Sequence, residues 1–140
     1  MAHRVVVRVH VDAPIERVWR ALCEPSEVEA WDGAQPRVVP TGYPQPGQHA
    51  QWRVHVGRVP VTLHDRVDCV DAPIRLAARI TYGYIDLAEE YRLERDGDAT
   101  MITSDNVVRS RPPGFAWLAA RATRRAVTAA LTRLAAHCAS

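Results

Sequence analysis

The feature that most constrains this chain is one long helical stretch at its end, which follows a long run of closely spaced strands. The stretch begins with Pro112-Pro113-Gly114 and then runs for about 24 residues without proline or glycine. It is rich in Ala, Leu and Arg, which are strong helix formers. A helix of that length extends roughly 36 Å, and no other segment is long enough to cover a sheet. We therefore expect the strands to form one sheet that packs against this helix.

The terminal helix is predicted to be amphipathic, with a buried face made mostly of small residues. At about 100° per residue, arginines and threonines fall on one side. The opposite side, predicted to be buried, carries Phe115, Ala116, Ala119, Thr123, Ala126, Val127, Ala130 and Leu134. Alanines cannot fill the space to a facing sheet, so either the helix packs very closely on its neighbour or a void remains. We interpret the helix as the lid and back wall of a cavity, and the close-packed alternative stays open.

Alternation of apolar and polar residues predicts the strands. Strands are expected at about 4–11, near 37–39, and at about 49–56, 59–70, 74–82, 85–95 and 100–109, with two short helices at about 15–22 and 27–31. The joints between the long strands have only two to four residues, so successive long strands must run antiparallel. This order predicts an α+β fold in a single domain, residues 1–140. A strongly curved seven-stranded antiparallel sheet wraps around the C-terminal helix, and the two short helices lie between strands 1 and 2.

Three segments, together with the terminal helix, resemble the SRPBCC superfamily. They are VHVDAPIERVWRAL at 9–22, VDCVDAPIRL at 67–76 and YRLERDGDATMITSD at 91–105. The resemblance covers essentially the whole chain and implies the START-like, helix-grip fold shared by birch-pollen-allergen-type proteins and polyketide cyclase/dehydrase relatives. It also implies a deep cavity between sheet and helix that binds a lipid, a polyketide or a similar apolar small molecule. The motifs are structural, so the resemblance assigns no catalytic residue.

Strand parity selects two acidic residues as candidates for catalysis, because side chains along a strand alternate between faces. Glu89 shares its face with four large apolar residues: Ile85, Leu87, Tyr91 and Leu93. Asp65 lies in register with another apolar set: Val61, Leu63, Val67 and Cys69. An ionised carboxylate is costly to bury without a partner, so both acids are expected to have a function. The alternative is a bulge or an exposed strand end that places the acid in water.

The same strand parity, together with the predicted buried face of the terminal helix, predicts the residues that would contact a ligand. They are Trp52, Val54, Tyr82, Leu87, Tyr91, Ser104, Asn106, Ala119, Thr123, Ala126 and Ala130. On the last strand the opposite face, which includes Met101 and Thr103, is almost as apolar, so the choice of Ser104 and Asn106 rests on a small difference. Trp31 and Trp117 are expected at the cavity mouth.

Charge and cysteine content exclude several other functions. The net charge is +2, all basic residues are arginine, and no basic block exceeds two residues, which argues against a nucleic-acid partner. No apolar run approaches the roughly 20 residues of a membrane span. Cys23, Cys69 and Cys138 lack metal-ligand spacing, so no metal is expected, and the absence of a signal peptide favours reduced thiols in a bacterial cytoplasm. The sequence leaves open whether the chain forms a homodimer.

Two classes of function fit these observations. The first is a polyketide cyclase, aromatase or dehydratase that needs no cofactor, in which burial raises the pKa of Glu89 or Asp65 so that it acts as general acid or base. The second is a non-catalytic carrier or sensor of an apolar ligand. A third class, a module that regulates a partner protein through an exposed face, is the least favoured of the three. An acid with a donor about 5 Å away favours chemistry, and an acid alone among apolar walls favours binding.

Overall fold

A computed structural model describes residues 2–139, without the side chain of Pro113. Its elements are β1 (His3–Val11), α1 (Ile15–Cys23), α2 (Pro25–Asp32), β2 (Gln35–Val38), β3 (His49–Val56), β4 (Val59–Asp71), β5 (Arg75–Tyr82), β6 (Ile85–Asp96), β7 (Ala99–Ser110), a 3-10 turn (Pro113–Phe115) and α3 (Ala116–Ala139). Residues 1 and 140 of the predicted domain lie outside the described residues. The predicted order of strands and helices is confirmed, and most element ends agree within one or two residues.

The strands form one antiparallel sheet in the order β1-β7-β6-β5-β4-β3-β2. From β3 to β7 each strand pairs with the next one along the chain, whereas β1 pairs with β7. The two short helices connect β1 to β2, which are the two edges of the sheet. The predicted α+β class, with a seven-stranded antiparallel sheet and a long C-terminal helix, is confirmed.

The terminal helix packs on only part of the sheet. α3 lies on β1 and β7, and we call the sheet face beneath it the inner face. The buried residues of α3 are Ala116, Ala120, Thr123, Leu131, Leu134 and Cys138. The predicted buried face is therefore wrong for Phe115 and Ala126, which are both exposed. The helix is rotated so that the larger leucines reach the core, because burying a leucine contributes more than burying an alanine.

The two short helices close one end of the space between sheet and helix. α1 and α2 both contact α3, and Val18, Leu22 and Trp31 share a core cluster with Leu131 and Leu134 of that helix. The indole Nε1 of Trp31 donates to the carbonyl oxygen of Ala21 at 2.8 Å. Trp31 thus belongs to the closed end, and its predicted place at a cavity mouth is wrong.

A β-bulge in β4 changes the parity on which one prediction depended. Val67 pairs with Ala78, but the next pair joins Cys69 to Ala77. The extra residue moves Cys69 to the outer face, where its Sγ lies 3.5 Å from Nη1 of Arg75. The predicted inward position of Cys69 is therefore wrong, whereas Asp65 lies before the bulge and keeps its inner position.

A buried hydrogen bond joins the start of β7 to the segment that leads into α1. The hydroxyl of Thr100, which is fully buried, donates to the carbonyl oxygen of Ala13 at 2.8 Å. Replacing Thr100 by Val removes the donor and leaves a buried carbonyl without this bond. We expect Thr100→Val to lower the free energy of unfolding by about 1–3 kcal/mol in denaturant titrations. Thr103→Val, on the outer face of the same strand, should change it by less than about 0.5 kcal/mol; equal effects would contradict this role.

Candidate functional site

The inner face carries a buried carboxyl group that accepts hydrogen bonds from two aromatic side chains. Asp65 on β4 is 5% exposed. Its Oδ2 accepts from the Tyr43 hydroxyl at 2.5 Å and from the Trp52 indole Nε1 at 3.1 Å. The two rings meet edge to face, with centroids 5.8 Å apart. Burial raises the pKa of Asp65, while the bonds from Tyr43 and Trp52 oppose that shift.

The second oxygen of this carboxyl group has no protein partner. Oδ1 of Asp65 is buried and makes no hydrogen bond to any described residue. A buried polar atom without a partner costs free energy, so the position is suited either to a proton on the carboxyl group or to a donor from a bound molecule. Burial also raises the pKa of Tyr43, and Asp65 adds to this shift, so Tyr43 stays a neutral donor.

Glu89 on β6 has a strongly raised carboxyl pKa. Burial, and after it the charges of Asp65 and Asp32, raise the pKa of Glu89 to about 8, although a hydrogen bond with Tyr91 opposes the shift. Its side chain is nevertheless only half-buried. Glu89 thus combines a raised pKa with surface that a small molecule can reach.

Several polar groups lie close enough to influence one another around Glu89. Tyr91 lies two residues further along the inner face of β6, and its pKa is raised by burial and then by the charge on Glu89. Burial also raises the pKa of Asp32, at the end of α2, and the positive charge of Arg133 opposes that shift. Three carboxyl groups and two phenols, from β4, β6, α2 and the β2–β3 loop, therefore influence one another's ionisation.

Two predicted ligand-binding residues are fully buried on β7. They are Ser104 and Asn106, and the Asn106 amide donates from Nδ2 to Oγ of Ser104 at 2.9 Å. Their cross-strand partners on β1 are Val7 and Val5, and on β6 they are Tyr91 and Glu89. Thr123 of α3 is also buried. The choice of inner-facing residues on this strand agrees with the structure, and contact of these three residues with a ligand stays a prediction.

The other predicted ligand-binding residues lie on β3, β5, β6 and α3. Leu87 and Trp52 are buried on the inner face, and half-buried on the same face are Val54, Tyr82 and Tyr91. On α3, Ala119 and Ala130 are half-buried and Ala126 is exposed. Tyr82 also lines a cleft of about 440 Å³ at the end of the sheet, together with Tyr84, Ile85 and Phe115.

Sequence reasoning missed two members of the acid and phenol group. Tyr43 lies in the loop between β2 and β3, where no strand period exists to indicate its direction. Its only signal is that it is the single aromatic residue in a proline- and glycine-rich segment. Asp32 ends α2 directly before Gly33, which has a positive φ and caps the helix, whereas the predicted helix stops at about residue 31.

Metal binding and membrane crossing receive no support from the described part of the chain. Within residues 2–139, no three His, Cys, Asp or Glu side chains are grouped so that they could hold a metal ion. None of the helices described in that range combines the length and the apolar composition that crossing a membrane requires.

The raised pKa of Glu89 predicts a pH dependence of stability. Its folded-state pKa is about 8 against an ordinary value of 4.5, so between these values the folded state holds a proton that the unfolded state has lost. The free energy of unfolding should therefore fall as pH rises from about 4.5 to about 8. We expect Glu89→Gln to flatten this slope in denaturant titrations at several pH values. Glu94→Gln, an exposed acid on the same strand, should keep the wild-type slope; the same slope in all three proteins would contradict the assignment.

Comparison with known proteins gives the chain a family. Residues 2–139 match the family described as polyketide cyclase/dehydrase and lipid transport. No match was found among curated proteins.

Solved structures with the same fold include an aromatase/cyclase and a protein from a biosynthetic locus. The ZhuI aromatase/cyclase from Streptomyces sp. R1128 is 18% identical, with a TM-score of 0.82 over 99% of this chain and 94% of that one. DynU16, from the dynemicin biosynthetic locus, is 25% identical with a TM-score of 0.75 over 96% of this chain, which spans only 46% of the length of DynU16. CalU16 from Micromonospora echinospora is 18% identical, with a TM-score of 0.67 over 95% of this chain and 76% of that one. These likenesses confirm the predicted helix-grip fold. Because the family match covers almost every residue, the chain belongs to the polyketide cyclase/dehydrase and lipid transport family.

Proposed function

We propose that this protein binds an apolar, polyketide-like molecule in a cavity between α3 and the inner face of β3–β6, and acts on it as a cyclase, aromatase or dehydratase. Glu89 is the general acid/base. The observation that carries the proposal is the position of Glu89, whose pKa burial raises to about 8 while its side chain is only half-buried. A carboxyl group that has a pKa raised by burial and still keeps accessible surface is expected where a small molecule has room to approach it.

The orientation of α3 supports a cavity on the Glu89 side. Nη1 of Arg124 lies 3.4 Å from the carbonyl oxygen of Val6, over the free edge of β1. Ala126 lies roughly 160° around the helix from Arg124, so it faces the rest of the inner face. Ala119 and Ala130 lie on the same flank, and all three retain accessible surface. Small side chains on this flank leave space in front of β6 and β5.

The polar groups suit chemistry on a chain that contains several ketones. In an aldol step, the ionised form of Glu89 takes a proton from a methylene group between two carbonyls. The enolate carbon attacks another carbonyl carbon of the same chain and forms a carbon–carbon bond. The new alkoxide oxygen then takes the proton back from Glu89, so the step is balanced without a cofactor. The phenol of Tyr91, which burial keeps neutral and which hydrogen-bonds to Glu89, would donate to the developing oxyanion.

Asp65 is better suited to positioning than to proton transfer. Its Oδ2 already accepts from Tyr43 and Trp52, while Oδ1 is free to receive a donor from a bound molecule. This arrangement is also the observation that favours the second candidate function, a non-catalytic carrier or sensor. In a carrier the same oxygen would hold a polar head group and nothing would be transformed.

Substitution of Glu89 separates the two candidates. For the cyclase, Glu89→Gln should lower kcat about 100-fold or more with a poly-β-ketone substrate mimic, and binding by thermal shift should change little. The wild-type rate should rise with pH up to about 8, because the ionised form is the base. Glu94→Gln serves as the exposed control on the same strand. Thermal stabilisation of the wild type by the mimic without turnover would favour the carrier and contradict the enzyme.

Filling the space beside α3 tests the cavity independently of any chemistry. We expect Ala126→Leu to weaken binding of aromatic polyketides at least about tenfold, because the added methyl groups occupy the ligand's place, with little change in the free energy of unfolding. Ala136→Leu, on an exposed part of the same helix, should leave binding unchanged. Wild-type affinity in Ala126→Leu, or a severe loss of stability, would contradict a cavity at this position.

A further inference from the structure

Large apolar side chains are exposed at the end of the molecule that lies opposite α1 and α2. Three segments lie at this open end: the β3–β4 turn, the β5–β6 turn and the connection from β7 into α3. Ile85 pairs with Ser110, which places the β5–β6 turn beside the connection into α3. The β3–β4 turn projects further, because β4 begins at Val59 but pairs with β5 only from His64 onward. The exposed apolar residues on these segments are Val56, Val59, Tyr84, Phe115, Trp117 and Leu118. Only three other large hydrophobic residues of the described chain are exposed to a similar extent: Val6, Val38 and Ile74.

The apolar residues of the open end form a rim of separate tips rather than a packed patch. Tyr84 is 78% exposed and Phe115 57%, and both line the cleft at the end of the sheet. The backbone N–H of Arg111 donates to the carbonyl oxygen of Tyr84 at 3.0 Å, which fixes the β5–β6 turn beside the start of α3. Val56 and Val59 pair with each other, on the inner-face parity of β3 and β4.

Charge is distributed unevenly between the two ends. The arginines at or near the open end are Arg58 in the β3–β4 turn, Arg109 and Arg111 around the end of β7, and Arg121, Arg124 and Arg125 on α3. α3 contains no Asp or Glu. Asp86 pairs across the strands with Arg109 and lies 3.9 Å from Arg79. The opposite end holds many of the acids, including Asp12, Glu16, Asp71 and Asp96. The open end is therefore apolar at its tips and cationic behind them.

We propose that the open end docks on an anionic lipid surface, with Phe115, Trp117 and Tyr84 entering the headgroup region and the arginines pairing with lipid phosphates. Aromatic side chains on tips, with arginines behind them, match the chemistry of a membrane interface, where rings lie among headgroups and cations meet negative charge. Charge complementarity favours an anionic lipid, because within residues 2–139 no ion pair joins the arginines of this end to an acid, and Asp86 is the cross-strand neighbour of Arg109. The docking does not depend on Glu89 or on turnover.

Sedimentation with vesicles tests the proposal directly. We expect the full chain to sediment with vesicles of phosphatidylcholine and phosphatidylglycerol at 7:3, and about tenfold less with phosphatidylcholine alone or in 0.5 M salt. The double variant Phe115→Ser/Trp117→Ser should bind at least about tenfold more weakly. Arg111→Glu/Arg121→Glu, which leaves the apolar tips intact, should lose the preference for anionic vesicles. Circular dichroism and a thermal melt check that each variant is folded.

A matched control removes exposed apolar groups elsewhere. Val38→Ser/Ile74→Ser should bind vesicles as the wild type does, because these residues lie outside the three segments of the open end. Failure of the wild type to sediment with anionic vesicles would overturn the proposal, as would equal binding by the tip variant and the wild type. A stable dimer in light scattering that Phe115→Ser/Trp117→Ser converts to a monomer would assign the open end to a second copy instead. None of these outcomes bears on the role of Glu89.

Discussion

The width of one helix limits how much of the inner face can be covered. A helix is about 10 Å across with its side chains, and strands are spaced about 4.8 Å apart, so one helix covers about two strands. α3 accordingly lies on β1 and β7, where Leu131 and Leu134 enter the core. The remaining strands present large side chains that stay half-buried, such as Leu63, Tyr82 and Tyr91. The cavity that we propose follows from this mismatch, because no other element is long enough to cover those strands.

The same mismatch explains the electrostatics of the site. Burial raises the pKa of Glu89, Asp65 and Asp32. Of these three, only Asp32 has an arginine close by, with 3.7 Å between Nη2 of Arg133 and Oδ1. The acids therefore favour their neutral forms, and each charge that does form raises the pKa of its neighbours. A carboxyl group that titrates near neutral pH is the result, and it would serve either a proton transfer or the recognition of a polar head group.

Much of the fold followed from local patterns in the sequence. Alternation along β3–β7 predicted the strands and placed Glu89 and Asp65 on the inner face, because parity is a property of each strand alone. Two predictions failed where the decisive interaction was not local. The bulge in β4 moved the side chain of Cys69 to the outer face. The rotation of α3 about its axis depended on how Leu131 and Leu134 fit the core. Tyr43 was missed for the same reason, since its direction is set by a loop that reaches Asp65 from 22 residues away.

The most direct test of this account is the titration of Glu89 itself, followed by the ¹³C shift of its side-chain carboxyl carbon. The account requires a midpoint near 8, well above the ordinary value of 4.5. It also requires the resonance to respond to an added aromatic polyketide, because the carboxyl group would border the space that the ligand occupies. A midpoint close to 4.5 would place Glu89 in contact with bulk water and contradict the site. A high midpoint with no response to any ligand would mean that the acid is sealed within the core.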